Sequence, residues 1–144
     1  KIKDFNGELL LERKNKVYLK PLSSSIEFIL EKEWIKKFDK KKCYLTFEFV
    51  AMRIKRKTFH YFTTAKDREL PPLKITHRFD KKTGTLYLKA DEFVNELYIY
   101  SDESNIDWTQ NFLDMEKGEE RKIKVRGNNA QALTFRLLSL NQYK

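Results

Sequence analysis

Residues 85–101 read TLYLKADEFVNELYIYS, and their alternation decides the fold. In TLYLKA, Leu86, Leu88 and Ala90 share one face of an extended chain, while Tyr87 and Lys89 take the other. ELYIYS repeats the pattern, with Leu97 and Ile99 directed inward and Tyr98 and Tyr100 outward. A period of two marks a half-buried strand rather than an amphipathic helix.

The same period recurs along the chain. RKIKVRG (121–127) places Ile123 and Val125 inside, with Lys122, Lys124 and Arg126 in water. LTFRLLSL (133–140) sets Phe135 and Leu137 against Thr134 and Arg136. CYLTFEFV (43–50) alternates Cys43, Leu45, Phe47 and Phe49 with Tyr44, Thr46, Glu48 and Val50. TFHYFTT (58–64) is aromatic-rich and β-branched, a composition suited to a pleated surface. Turn signals separate the runs: Asn6-Gly7, Lys82-Thr83-Gly84, Lys117-Gly118 and Gly127-Asn128-Asn129. Short strands punctuated in this way predict an all-β, antiparallel sandwich.

One segment reads two ways. SSSIEFILEKEWIKKF (23–38) has Ser24 and Glu27 at capping-box spacing, then Ile26, Ile29, Leu30, Trp34 and Phe38 at helical spacing. Ile26, Phe28 and Leu30 also alternate, and the pattern favours a strand through Leu30 with a short helical turn near Trp34. A module boundary is expected at RELPPLKI (68–75), because Pro71 and Pro72 lack the amide donors that a central strand needs. Two modules, 1–70 and 71–144, follow from it.

Composition narrows the function classes. The chain has 144 residues, 40% hydrophobic and 14% aromatic, enough for one domain or two small ones. With 4 Gly and 3 Pro it is not a low-complexity segment. No apolar run is long enough to cross a bilayer, so membrane insertion is not expected. The start, KIKDFNGELL, lacks an initiator Met and reads as a fragment of a longer chain. Cys43 is the sole cysteine, which rules out an intrachain disulfide and a cysteine-rich zinc site. The net charge of +9 is uneven: residues 1–70 carry 18 Lys/Arg against 10 Asp/Glu, a net +8. The excess lies in KKFDKKK (36–42) and RIKRK (53–57). Such clusters attract polyanions, but the simpler reading is a solvated loop and an edge strand guarded by charge; nucleic acid is not the expected partner.

WTQNFLDMEKGEE (108–120) is the candidate site. Carboxylate catalysis needs two acids facing each other across a cleft. Here Asp102, Glu103, Asp107, Asp114, Glu116, Glu119 and Glu120 crowd turn-like sequence, and a small sandwich has no deep cleft to raise one of their pKa values. SDESNID (101–107) offers Asp102, Asn105 and Asp107 as calcium oxygens but lacks the glycine and terminal glutamate of an EF-hand loop. His60 and His77 stand alone, Ser23 to Ser25 form no nucleophile elbow, and there is no glycine-rich phosphate loop. No catalytic residue, cofactor or metal is therefore expected. Trp108, Tyr87, Tyr98 and Tyr100 remain as a platform for stacking sugar rings, or as a surface that packs against a neighbouring domain. Within the stretch, Trp108 or Phe112, with Leu113 and Met115, is expected to anchor the core. Asn111 and Asp114 suit bonding to backbone amides, and Gly118 suits the turn into the next strand.

Taken in order, DRELPPLKI, GTLYLKADEFVNELYIYS, IDWTQNFLDMEKGEERKIKV and LLSLNQYK resemble the C-terminal immunoglobulin-like domain of β-mannosidases of glycoside hydrolase family 2. Asn111, Phe112, Asp114, Gly118 and Glu119 match that family's block of the DNxFDLxPGE type. Gln110 replaces its Asp, Leu113 its second aromatic, and Glu116-Lys117 a Leu-Pro pair. In the first half, Asp4, Phe5, Gly7 and Ser23 to Ser25 are similar to a hairpin and serine-rich turn of the preceding sandwich domain. The resemblance implies that 1–70 is the C-terminal part of that domain, truncated on its N-terminal side. It implies a parent that removes terminal β-linked mannose by a retaining mechanism, with both catalytic glutamates in a (β/α)8 barrel outside this chain. It further implies that the partners are the barrel and the neighbouring sandwich domains of the same parent, with a homodimer and carbohydrate as further partners. The parent would be secreted, periplasmic or lysosomal.

Overall fold

The computed structural model describes residues 1–18, 26, 28–51, 53–102, 106–127 and 134–143. It is an all-β structure whose strands all pair antiparallel. Two compact units divide the chain: residues 1–4 with 8–68, and residues 5–7 with 69–144. The second unit's main segment thus begins two residues before Pro71, and the Asn6-Gly7 turn groups with it rather than with the first module.

The first unit is one four-stranded sheet. Its strands are β1 (Ile2–Asp4), β2 (Leu9–Leu11), β3 (Cys43–Ala51) and β4 (Ile54–Tyr61), in the order β2-β1-β3-β4. Ile2, Cys43 and Leu45 are buried, with Leu10, Leu11, Leu30, Phe38 and Phe62 packed on them. The expected alternation along β3 gives way to a division along its length. Cys43 to Thr46 are buried on both faces, whereas Phe47 to Val50 are exposed on both. The cause is register: β1 pairs β3 only from Cys43 to Leu45, while β4 accompanies β3 to Ala51. The outer half is therefore a two-stranded ribbon.

A single helical turn, α1 (Lys32–Ile35), holds Trp34, over whose ring the Arg13 guanidinium sits at 4.5 Å. The strand expected through Leu30 is not formed at residues 28–30, which are irregular. Only Leu30 packs on the core, while Ile26 and Ile29 are exposed, so alternation there lacks a buried face to serve. Ser23 to Ser25 and Glu27, with the capping box they suggested, lie outside the described residues.

The second unit is a sandwich with the four-plus-three strand division of constant-type immunoglobulin domains. One sheet has the order β5-β6-β10-β8, built from β5 (Ile75–Asp80), β6 (Thr85–Ala90), β8 (Asp107–Trp108) and β10 (Glu120–Arg126). The other is β11-β7-β9, from β7 (Val94–Tyr100), β9 (Leu113–Met115) and β11 (Arg136–Leu138). Leu86, Leu88, Ala90 and Ile123 from the first sheet meet Val94, Leu97, Ile99 and Met115 from the second. Each full burial of such an aliphatic side chain contributes about 1.5–3 kcal/mol, so this layer dominates the unit's stability. Outward residues fill the complementary positions: Tyr87 lies between Arg78 and Lys122, whose cationic groups approach its ring at 4.3 and 5.6 Å.

Candidate functional site

Residues 108–120 lie in the second unit and cross both of its sheets. Trp108 sits on β8, paired with Val125, and is 8% exposed, its ring edge-on to Phe135 at 5.7 Å. Its indole is part of the core, which corrects its assignment to a sugar-stacking surface. Thr109 closes the same edge: its N–H donates to the Lys124 carbonyl and its hydroxyl accepts from the Lys124 N–H.

Asn111 acts as a short strand made from a side chain. Its Oδ1 accepts the Ile99 N–H at 2.7 Å, and its Nδ2 donates to the Ile99 carbonyl at 3.0 Å. Both main-chain groups of a buried β7 residue are satisfied by one amide, and Oδ1 also accepts the Phe112 N–H. Phe112 then adopts φ +55° and turns away from the core, 67% exposed. The core anchors of the stretch are Trp108, Leu113 and Met115; Phe112 is not among them. The left-handed backbone that lets Asn111 reach Ile99 directs the next side chain outward.

Asp114 clasps an irregularity in the facing strand. The β7–β9 register shifts between Val94 and Leu97, and Glu96 there has φ +50°. The Asp114 carboxylate accepts from the Asn95 side chain, at Nδ2, at 2.7 Å and from the Glu96 N–H at 2.9 Å, a main-chain donor that the bulge withdraws from the ladder. The turn that follows is locked at both ends. Gly118, at φ +78°, donates its N–H to the Ala90 carbonyl at 2.7 Å, and the Ala90 N–H returns a bond to the Glu119 carbonyl. Glu119 Oε2 accepts the Glu116 N–H at 3.1 Å and its other oxygen pairs with Arg121. Lys117 pairs with Glu92 at 3.1 Å.

Two acids of the stretch, Asp114 and Glu119, are thus placed for architecture. They spend their charge on main-chain amides and a neighbouring guanidinium. Asp102 faces Arg136 at 3.7 Å and, by hydrogen bonding, raises the pKa of the Tyr100 phenol above its ordinary value. Asp107 lies on β8 opposite Arg126, and Asn105 and Glu103 lie outside the described residues. Among the described residues no cluster of three His, Cys, Asp or Glu side chains could hold a metal. His60 and His77 rest edge-on against Phe62 and Phe135.

Tyr98 and Tyr100 project from the outer face of β7, ring centroids 6.1 Å apart. Phe112 stacks on Tyr98 at 4.9 Å and 18°. Tyr98 therefore gives one ring face to Phe112, which at 67% is more exposed than Tyr100 at 37%. The two basic clusters belong to the first unit but sit at opposite ends of β3: Lys42 precedes Cys43, and Arg53 follows Ala51. A nine-residue strand spans about 30 Å, beyond a Debye length of about 8–10 Å, so they form no continuous polyanion groove. A cleft of about 380 Å³ in the same unit is lined by Leu11, Val17, Phe28, Leu30, Phe47 and Val50. Of the charges at its rim, Lys1 pairs with Glu12 and Glu48, and Lys14 with Glu12.

A second constellation escaped the sequence reading. Asn141, 4% exposed, accepts the Asn95 N–H at 2.8 Å and donates to the carbonyls of Phe93 at 2.7 Å and Pro71 at 2.9 Å. Ser139 Oγ lies 2.6 Å from the Asn95 carbonyl and 2.7 Å from Asn141 Oδ1. Gln142 Oε1 accepts the Ser139 N–H at 2.8 Å, completing a capping box. This tail ties the proline segment to the start of β7. Its readable signal was Ser139-x-x-Gln142, the capping spacing in LLSLNQYK.

Fold and site together define a β-sandwich protein whose conspicuous polar stretch serves main-chain architecture. The chain matches no family model and no curated protein.

Proposed function

We propose that this chain is a non-catalytic accessory region of a larger glycoside hydrolase of the β-mannosidase type, in which it braces the catalytic barrel. On this reading residues 71–144 are the parent's last immunoglobulin-like domain and residues 1–70 the end of the domain before it. The observation that carries the proposal is the use of the motif residues. Asn111, Asp114, Gly118 and Glu119, the positions that resemble the family's block, each bond to main-chain groups of the sandwich. A block retained for architecture is what an accessory domain needs and what a catalytic pair would lack. Hydrolysis of terminal β-mannosides would then belong to the barrel of the parent.

The coding sequence around this segment tests the proposal. A (β/α)8 barrel encoded upstream in the same reading frame supports it, and an unrelated upstream domain overturns it. The alternative, a carbohydrate-binding module, now rests on Phe112, Tyr98 and Tyr100 without Trp108. Titration with manno-oligosaccharides separates the two: a saturable shift of the tyrosine signal, lost in Phe112→Ala, would favour sugar binding.

A further inference from the structure

Among the described residues, the outer half of the β3–β4 hairpin joins neither core cluster. Phe47, Phe49, Val50 and Ile54 are 48%, 42%, 67% and 56% exposed. By register Phe49 lies opposite Arg56, Val50 opposite Lys55 and Ala51 opposite Ile54, so apolar groups stand on both faces near the tip. Arg53, Lys55, Arg56 and Lys57 lie among them, against the single acid Glu48, which pairs with Lys55 at 3.7 Å. The apolar cleft at the ribbon's base shares Phe47 and Val50 and extends the same surface.

We propose that this ribbon is a peripheral docking element for an anionic lipid surface, with Phe49, Val50 and Ile54 entering the headgroup–acyl boundary and Arg53, Lys55 and Arg56 binding lipid phosphates and carboxylates. Three features choose lipid over a protein partner. The core of a protein interface is depleted in charged residues, whereas at this tip Arg53, Lys55 and Arg56 are interleaved with apolar groups on both faces. Interfacial elements sink about 5–10 Å, and about three residues of strand cover that depth, which reaches Phe49, Val50 and Ile54 from the tip. Long cationic side chains at that level extend back to the headgroups. No strand crosses the bilayer in this arrangement, and the docking does not depend on the parent's activity.

Co-sedimentation of the full chain with vesicles tests it, using phosphatidylcholine alone and phosphatidylcholine mixed with phosphatidylserine. Binding is expected on the mixed vesicles alone, weakening as salt rises. Arg56→Gln should weaken it roughly fivefold, the share of one cation near an anionic surface. Phe49→Ser with Ile54→Ser should weaken it further while leaving the salt dependence unchanged. These positions are exposed, and an unchanged melting curve confirms that each variant is folded. Absence of binding to mixed vesicles overturns the proposal. So does binding that ignores Phe49 and Ile54 and is competed equally by DNA, which would make the ribbon a polyanion site. A concentration-dependent dimer abolished by Ile54→Ser would instead assign the ribbon to contact between two copies.

Discussion

Replacing Asn141 with alanine removes every hydrogen bond that its side chain makes in the tail clamp. Three main-chain groups lose their partner: the Asn95 N–H and the carbonyls of Phe93 and Pro71. The Pro71 bond is only partly buried, so water can replace it there. The other two are buried, and each unsatisfied buried group costs about 1–3 kcal/mol, giving a loss of about 2–6 kcal/mol. Typical domains have about 5–15 kcal/mol in total, so the second unit would approach its stability limit. At about 4–8 °C per kcal/mol for a domain of this size, its midpoint should fall by at least about 10 °C. Trp108 is buried in that unit and reports its unfolding in a Trp34→Phe background, by fluorescence in urea. Ser139→Ala in the same cycle should show coupling with Asn141, because their side chains are 2.7 Å apart. A loss of about 0.5 kcal/mol or less, the range of an ordinary surface substitution, would refute the claim that this clamp holds the unit's ends together.

Three further outcomes follow from other contacts. Asn111→Ala should cost the second unit about 1–3 kcal/mol by stripping both Ile99 main-chain groups, read as a lower urea midpoint with an unchanged slope. Gly118→Ala should cost about 1–2 kcal/mol through its left-handed backbone alone, since no atom lies within 4 Å of a Cβ built there. Gly118→Val should cost more, and an unchanged melting temperature in either variant would deny the turn that role. Burial pushes the Cys43 thiol from 9.0 up to about 11. Above pH 9.0 the unfolded chain releases this proton first, so stability should decline between about pH 9 and 11; Cys43→Ala should flatten that decline. At neutral pH an aromatic disulfide reagent should label Cys43 slowly in the native protein and rapidly in urea.

The sandwich was legible where hydrophobic alternation meets two opposing sheets. Leu88, Leu97, Ile99 and Ile123 are buried and their neighbours in the chain are not, because one face of each strand meets the core. Alternation gave no warning at β3, where burial follows the length of the partner strand β1, a property of pairing that local sequence does not carry. Of Trp108 and Phe112, the two aromatics offered as core anchors, Trp108 takes the role and Phe112 does not, for a related reason. Its side-chain direction is set by a left-handed residue that Asn111 stabilises, and a large aromatic next to Leu113 gives no sign of that. Asn95, Ser139 and Asn141 were invisible to an apolar pattern because they are buried by satisfying each other and the main chain. The acids of 108–120 were conspicuous in sequence, and only their partners show that Asp114 and Glu119 hold a bulge and a turn.

The most direct test of that conclusion is a paired measurement on Asp114→Asn: thermal stability of the second unit, and release of aryl alcohol from an aryl β-mannoside by the same preparations. A structural Asp114 predicts a lower melting temperature in the variant, since the carboxylate that holds Asn95 and Glu96 is weakened, and no hydrolysis by either protein. Hydrolysis by the native chain that disappears in the variant, with melting unchanged, would contradict it.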